Sequence, residues 1–144
     1  MSFIKIWIHS VWSTKNWKPL LSTKEIRFEV FEHIYKNAKE KGIYMDFVNG
    51  CDDHVHCLLS LGVEQNIGDV MQLIKGESSF WINHQDFMQQ RFTWQKEYYA
   101  VSVSPSHVEM VRNYIRNQEK HHQKISFQEE VDELIEKWGF EKLI

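Results

Sequence analysis

The chain has 144 residues, of which 42% are hydrophobic and 14% aromatic, and its formal net charge is −3. This composition predicts a single folded domain over residues 1–144, and it excludes a disordered chain and a broadly basic nucleic-acid coat protein. No apolar run approaches the roughly 20 residues of a membrane span, and Met1–Lys5 lacks a signal-peptide pattern. We therefore expect a cytoplasmic protein without membrane association.

Acidic and basic residues are distributed unevenly along the chain. Residues 128–144 contain six acidic and two basic residues, whereas residues 1–24 contain four lysines and no acidic residue. A local basic surface could therefore meet phosphates although the whole chain is slightly acidic. The acidic end is predicted to form an appended amphipathic helix at about 127–138, either a solvated lid or a dimer element.

Hydrophobic periodicity divides the chain into strands and helices. Alternating apolar residues predict strands, and apolar residues three and four apart predict helices. Capping boxes, in which a serine is followed three residues later by a glutamate, place helix starts at Ser22, Ser106 and Ser126, and Asn66 caps one more. The predicted strands are 3–13, 43–48, 54–61 and about 98–103, and the helices end at Gly42, near Ile82, near His122 and at Gly139.

The order of these elements is β-α-β-β-α-β followed by two helices. This is the split βαβ pattern of ferredoxin-like and RRM-like antiparallel sheets, and it predicts an α+β fold. Two helices cover one face of such a sheet, which leaves the other face available for a ligand. The fold class alone does not give the function.

Two histidines stand out on the third predicted strand. Side chains on a strand alternate between faces, so His54 and His56 project from the same side. Imidazole nitrogens bind several divalent metals, but two ligands alone do not make a site. From the residues alone, a metal site and two histidines that merely share a strand face both remain open.

A second group lies on the helix that begins after Ser106. Tyr114 and Gln118 are one turn apart, on the edge of this helix that faces the protein. Tyr114 alone would be an ordinary tyrosine at the edge of the core. Hydrophobic packing does not explain the polar Gln118 beside it on the protein-facing edge of the helix. A hydroxyl and an amide that converge with two histidines would supply a nucleophile and an oxygen ligand for a hard cation.

Together these segments resemble the single-tyrosine HUH transposases of bacterial insertion sequences, the IS200/IS605-like family. The resemblance extends along most of the chain. One shared segment has the form Lys-Gly-x-Ser-Ser on the second helix. The segments that carry the resemblance are His54–His56, Tyr114–Gln118, Trp12–Lys15, Lys75–Ser79, Trp94–Tyr99, Ser102–Val103 and Asn117–His122.

The resemblance implies cleavage of single-stranded DNA beside a hairpin at the ends of a mobile element. His54, His56 and Gln118 would hold Mg²⁺ or Mn²⁺, and Tyr114 would be the catalytic nucleophile that forms a 5′-phosphotyrosine link. Strands could be rejoined without a nucleotide cofactor, since the covalent intermediate keeps the bond energy. Two cleavages imply a homodimer, and the sequence leaves open whether the tyrosine serves its own chain's metal site or that of its partner.

Contacts to DNA are predicted from basic, hydroxyl and aromatic side chains. Three tryptophans, Trp7, Trp17 and Trp94, could stack on unpaired bases. Cys51 and Cys57 are predicted as small core residues, and His9, His33, His84 and His107 have no informative spacing. The candidate phosphate and hairpin contacts are Lys15, Lys18, Lys75, Ser78, Ser79, Arg112 and Arg116.

Three functions remain open at this point. The first is a strand-transferring transposase, and the second is a domesticated relative or nickase with the same cleavage chemistry. The third is a non-enzymatic module that binds single-stranded nucleic acid on an RRM-like sheet. This third function lacks the aromatic strand motif expected of such sheets, and the short chain favours the first.

Overall fold

The sheet has four antiparallel strands in the order β2-β3-β1-β4, as expected for the predicted ferredoxin-like α+β class. This architecture is seen in a computed structural model that describes residues 2–138. The alternation of apolar residues explains why each strand forms, and the order confirms the fold class predicted from the sequence. The strands are β1 (Ile6–Ser13), β2 (Tyr44–Gly50), β3 (His54–Leu61) and β4 (Tyr99–Val103).

Five α-helices accompany the sheet in the described part of the chain, and two of them cover one of its faces. Within residues 2–138, no helix is long and apolar enough to cross a membrane. The helices are α1 (Lys24–Glu40), α2 (Ile67–Asn83), α3 (Val108–Arg116), α4 (Gln118–His122) and α5 (Phe127–Trp138).

The main core lies between the sheet and helices α1 and α2. Alternate residues of β1 and β3, including Trp12 and Cys57, point into it and are fully buried. Ile34 of α1 and Ile74 of α2 meet them from the helical side. Cys51 is also buried, and both cysteines are free thiols, as expected of small core residues.

The second face of the sheet is covered, contrary to the expectation that it stays available for a ligand. Helix α3 packs Val111 and Ile115 against Leu58 of β3. Helix α5 packs its apolar residues on the same face, around Val11 of β1. The apolar side of α5 is formed by Phe127, Val131 and Leu134. The acidic helix is therefore docked on the sheet rather than solvated on all sides.

Two predicted helix starts are wrong, and two are confirmed. Asn66 caps α2 as predicted, because its side-chain oxygen accepts from the Asp69 amide at 2.9 Å. Helix α1 is capped by Thr23, not Ser22, because the Thr23 hydroxyl accepts from the Ile26 amide at 3.1 Å. A 3₁₀ turn over residues 105–107 precedes α3, so Ser106 is not its cap. Ser126 does cap α5, since its hydroxyl accepts from the Glu129 amide at 3.2 Å.

The tyrosine helix is also shorter than predicted. Instead of running to His122, it is interrupted at Asn117, which ends α3 and precedes the short α4. Asn49 of β2 donates from its side-chain amide to the carbonyl oxygens of Ile115 and Arg116, at 3.0 and 3.2 Å. These bonds satisfy carbonyls that lose their helical partners at the break. The predicted end of the last helix at Gly139 lies outside the described residues.

Candidate active site

The two histidines of β3 point together into a buried space between the sheet, α4 and α5. Both imidazoles are fully buried, and β1 and β2 flank their strand on either side. Asp53 Oδ1 lies 2.7 Å from His54 Nδ1. This contact fixes the ring of His54 so that Nε2 faces the space, which is how a carboxylate orients a metal-binding histidine.

His9 performs the corresponding role for His56. Its Nε2 forms a hydrogen bond of 2.9 Å with His56 Nδ1, and the two rings stack with centroids 5.1 Å apart. No role for His9 could be predicted from residue spacing, because only the strand register brings it next to His56. Val11 of β1 lies opposite His56, so His9 is the diagonal neighbour on the same face.

Gln118 reaches the histidines because of the helix break at Asn117. It is the first residue of α4, and its side chain is fully buried. Its Oε1 lies 3.0 Å from His54 Nε2, and Cys51 Sγ donates to its backbone carbonyl at 3.2 Å. The structure thus brings this predicted ligand to the predicted histidines.

Tyr114 lies on α3 beside the histidines of its own chain. Its ring is 5.6 Å from that of His56 and 6.1 Å from that of His9, centroid to centroid, with edge-on geometry in both pairs. The hydroxyl donates a hydrogen bond to Glu130 of α5. All four predicted site residues therefore meet within a single chain.

Glu130 is the residue that sequence reasoning missed, and it lies at the centre of the site. Its carboxylate is fully buried. Oε1 lies 3.0 Å from His54 Nε2 and 3.1 Å from His56 Nε2, and Oε2 accepts from Gln118 Nε2 at 2.9 Å and from the Tyr114 hydroxyl. In the sequence it is one of five acidic residues of a helix that was predicted as a solvated lid or a dimer element.

The proton affinities of these groups follow from burial and mutual contact. Burial alone would lower the pKa of His54, but its bonds to Asp53 and Glu130 outweigh burial and raise it to about 9. Burial dominates at His56 and at His9 and lowers the pKa of both. Burial, and then the Glu130 charge, raises the pKa of Tyr114, so the phenol is neutral at ordinary pH.

The donor atoms fit a divalent metal ion. Two imidazole Nε2 atoms, the Gln118 amide oxygen and the Glu130 carboxylate face one another, and the atoms of His54, His56 and Glu130 all lie within 4.8 Å of one another. Nitrogen and oxygen ligands of this kind suit Mg²⁺, Mn²⁺ and similar ions. Asp53 and His9 supply the outer contacts that orient such ligands.

Comparison with known proteins decides the family. The family described as "Transposase IS200 like" matches residues 2–118, which include both histidines, Tyr114 and Gln118. The chain belongs to this transposase family. The resemblance derived from the sequence motifs is thereby confirmed. Helix α5, with Glu130, lies beyond the matched residues.

Two solved structures show the same fold. A protein assigned as a transposase from Deinococcus radiodurans R1 is 24% identical, with a TM-score of 0.61 over 81% of this chain and 93% of that one. A REP-associated tyrosine transposase bound to a REP hairpin is 15% identical, with a TM-score of 0.63 over 87% and 73%. Comparison with curated proteins gives no match.

Five of the predicted DNA contacts of this transposase domain lie in one region. Lys15 and Lys18 are exposed beside the start of β3, and the Lys15 amide donates to the Thr93 carbonyl at 3.0 Å. Lys75 Nζ donates to the carbonyls of Gln95 and Lys96, both at 2.7 Å. The two remaining members of this group are Ser78 and Ser79, on the same helix as Lys75.

Ser78 and Trp94 are placed where DNA cannot reach them in this conformation. Ser78 is 1% exposed, donates to the Ile74 carbonyl at 2.7 Å and accepts from Trp94 Nε1 at 2.9 Å. Trp94 is itself buried against Phe92. Both side chains hold the segment that lies next to Lys75 in place.

The two arginines lie apart from the lysines, next to β2. Arg112 forms a bidentate ion pair with Asp46, at 2.9 and 3.0 Å, and also contacts Glu109. Arg116 is exposed and lies over the Phe47 ring at 5.6 Å. Arg116 is thus the one of the two that can meet a phosphate without first breaking an ion pair.

Proposed function

We propose that this chain cleaves and rejoins single-stranded DNA at the ends of a mobile element, with Tyr114 as the nucleophile. One observation carries the proposal. The side chains of His54, His56, Gln118 and Tyr114, which were chosen from the sequence, all contact the carboxylate of Glu130. Incidental histidines on an RNA-binding sheet would not be expected to meet a tyrosine and an amide at one point, so the convergence favours the catalytic alternative over a non-enzymatic binding module.

Each residue would have a defined part in the reaction. The Tyr114 oxygen attacks the scissile phosphorus, the bond from phosphorus to the 3′ oxygen breaks, and a 5′-phosphotyrosine link remains. The phenol gives up a proton and the leaving oxygen takes one up, so the 3′ end is a free hydroxyl. Attack of such a hydroxyl on a second phosphotyrosine joins the strands and releases the tyrosine.

His54, His56 and Gln118 would hold the metal ion, as Mg²⁺ or Mn²⁺. When bound, the ion withdraws charge from the phosphoryl oxygens and helps to orient them for in-line attack. Asp53 and His9 keep the two imidazoles in the required orientation through their hydrogen bonds. The proposed metal site therefore uses five side chains from β1, β3, α4 and the segment before β3, and Tyr114 of α3 completes the strand-cleaving centre.

A DNA hairpin is the proposed substrate. One neighbour of the same fold is a transposase bound to a REP hairpin, and this chain presents Lys75 and Lys96 along a groove of about 460 Å³ beside α2. Lys15 and Lys18 are exposed on the segment that pairs with Thr93 next to this groove. Trp17 is 51% exposed with φ of 54°, a conformation that bulky residues rarely adopt. This placement supports a role for Trp17 in stacking on an unpaired base.

A homodimer remains part of the proposal, because excision requires cleavage at two ends. In the structure Tyr114 lies beside the histidines of its own chain, with its ring 5.6 Å from His56. A dimer built from this conformation would pair two whole sites rather than exchange tyrosines. A host-acting nickase with the same cleavage chemistry differs only in its DNA, so the choice of substrate separates the two.

The test is to incubate the full chain with single-stranded hairpin DNA and Mn²⁺ and to look for a denaturant-resistant protein–DNA adduct. We expect the adduct in the wild-type chain and none in Tyr114→Phe, since the phenyl ring lacks the attacking oxygen. Tyr35→Phe is the matched control, because Tyr35 also lies on a helix but far from the histidines in sequence and on the other side of the sheet. An adduct that persists in Tyr114→Phe would contradict the assignment.

A further inference from the structure

The carboxylate of Glu130 is a buried anion without a permanent cation beside it. Among residues 2–138, the groups that form ion pairs with it are all histidines: His54, His56, His121 and His122. No lysine or arginine of the described residues pairs with it. A fully buried carboxylate requires a positive partner. Here that partner is either the proton of a charged imidazole or a metal cation bound in its place.

The spacing of the atoms fits a metal cation. In octahedral Mg²⁺ or Mn²⁺ sites the metal–ligand bonds are about 2.1 Å, so neighbouring ligand atoms are about 3 Å apart. Glu130 Oε1 lies 3.0 Å from His54 Nε2 and 3.1 Å from His56 Nε2. Gln118 Oε1 also lies 3.0 Å from His54 Nε2. The carboxylate oxygen therefore lies at the distance of a neighbouring ligand, which is also the distance of a hydrogen bond from an imidazole N–H.

We propose that Glu130 is itself a ligand of the divalent cation in the DNA-free chain, where it completes a set of two imidazoles and one carboxylate. This rests on the proposed function, which provides the metal site. Such a mixed set of nitrogen and charged oxygen ligands suits a transition ion such as Mn²⁺ better than Mg²⁺, which prefers oxygen ligands and retained water. The ligand comes from α5, outside the residues that match the transposase family.

The position of α5 limits the access of DNA to the site. His54, His56, Gln118 and Glu130 have no exposed surface in this structure, so a DNA phosphate can approach the site only if α5 moves. The phosphate oxygen would then take the place of the Glu130 oxygen. In the DNA-free chain the cation joins α5 to β3, and cation binding should make α5 more firmly docked.

The experiment measures Mn²⁺ binding to the full chain without DNA, from the loss of the free-ion signal in electron paramagnetic resonance. We expect Glu130→Gln to weaken Mn²⁺ binding by about tenfold or more, because an anionic ligand is replaced by a neutral one of the same shape. Glu136→Gln is the matched control, since Glu136 is an exposed carboxylate on the same helix. His54→Ala shows whether binding occurs at this site.

The outcomes separate the two proposals. If His54→Ala weakens binding and Glu130→Gln leaves it unchanged or makes it tighter, the ligand assignment is wrong and the carboxylate only occupies the site. If His54→Ala binds Mn²⁺ as the wild type does, the metal site of the proposed function is wrong as well. Absence of Mn²⁺ binding to the wild-type chain would also overturn the ligand assignment.

A second measurement does not depend on any variant folding correctly. In the wild-type chain, addition of Mn²⁺ should slow hydrogen exchange of the α5 amides if Glu130 is a ligand. Faster exchange in α5 on addition of Mn²⁺ would mean that the ion displaces the carboxylate, and unchanged exchange would mean that it does not engage it. Either result would overturn the proposal.

Discussion

Two parts of the molecule meet at the site and differ in how they can be recognised. Residues 2–118 match the transposase family and supply the imidazoles, the amide and the phenol. Helix α5 lies outside that match and supplies the carboxylate that all of them contact. In the proposed function the family segment supplies the residues of the cleavage reaction, whereas α5 supplies the carboxylate that contacts them in the DNA-free chain.

The two parts are also held in place by different forces. The histidine strand is fixed on both sides by backbone bonds of the sheet. Helix α5 is held by a small apolar cluster with Val11, Phe127, Val131 and Leu134, together with the bonds of Glu130. Elements with few buried contacts open locally at lower free energy than the global unfolding of a domain. We therefore expect α5 to detach from the sheet at a lower free energy than the histidine strand unfolds.

The largest effect on the rate of adduct formation is expected from His54→Ala, in the histidine strand β3. We expect the rate of adduct formation to fall by about 10³-fold or more, because loss of a metal ligand removes several kcal/mol of transition-state stabilisation. Binding of hairpin DNA should be retained, measured by fluorescence anisotropy. His84→Ala, on an exposed histidine at the end of α2, should behave as wild type. Loss of the folded state in His54→Ala would instead indicate a structural role.

The next effect concerns the docking of α5. Leu134 has no exposed surface, and Leu134→Ala should remove about 2–5 kcal/mol of packing. Hydrogen exchange in α5 should become faster, and hairpin DNA should bind more tightly because α5 detaches more often. Ile135→Ala is the control, since this neighbouring side chain is 47% exposed. If the α5 amides exchange faster but the affinity for hairpin DNA does not rise, then α5 does not cover the path by which DNA reaches the site.

A smaller effect is expected from the outer contact of His56. His9→Phe keeps a ring of similar size in the buried position but removes the nitrogen that bonds to His56 Nδ1. Loss of an orienting contact of this type weakens metal binding by about 10–100-fold. Titration with Mn²⁺ measures it, and an affinity within twofold of wild type would show that β1 contributes only packing.

Most of the fold could be predicted from the sequence. The strand containing His54 and His56 was predicted at its observed bounds, since alternating apolar residues identify a half-buried strand. The helix starts were less predictable, because Ser22 and Thr23 both can cap and only the chain path selects Thr23. The break at Asn117 could not be predicted, because the Asn49 side chain that supports it comes from a distant strand.

Site residues could be predicted where residue type and spacing identify them. They could not be predicted where strand register or helix packing brings them to the site. His54 and His56 share one short motif and Tyr114 and Gln118 another, and the resemblance to the transposase family indicates the roles proposed for them. The pairing of β1 with β3 brings His9 to the site, and the packing of α5 on the sheet brings Glu130 there. An acid on an amphipathic helix is ordinarily solvated, so no local pattern distinguishes Glu130 from Glu129 or Glu133.

The smallest predicted effect tests how α5 begins. The Ser126 hydroxyl accepts from the Glu129 amide at 3.2 Å, and the Glu129 carboxylate faces the Ser126 amide, so Ser126→Ala removes half of a capping box. The expected loss is about 1 kcal/mol. It should speed hydrogen exchange in the first turn of α5, and it should raise DNA affinity less than Leu134→Ala does. Ser126→Asp, which restores a cap, should return both to wild type. If Ser126→Ala instead matches the effect of Leu134→Ala, then the helical start, not the apolar cluster, controls access to the site.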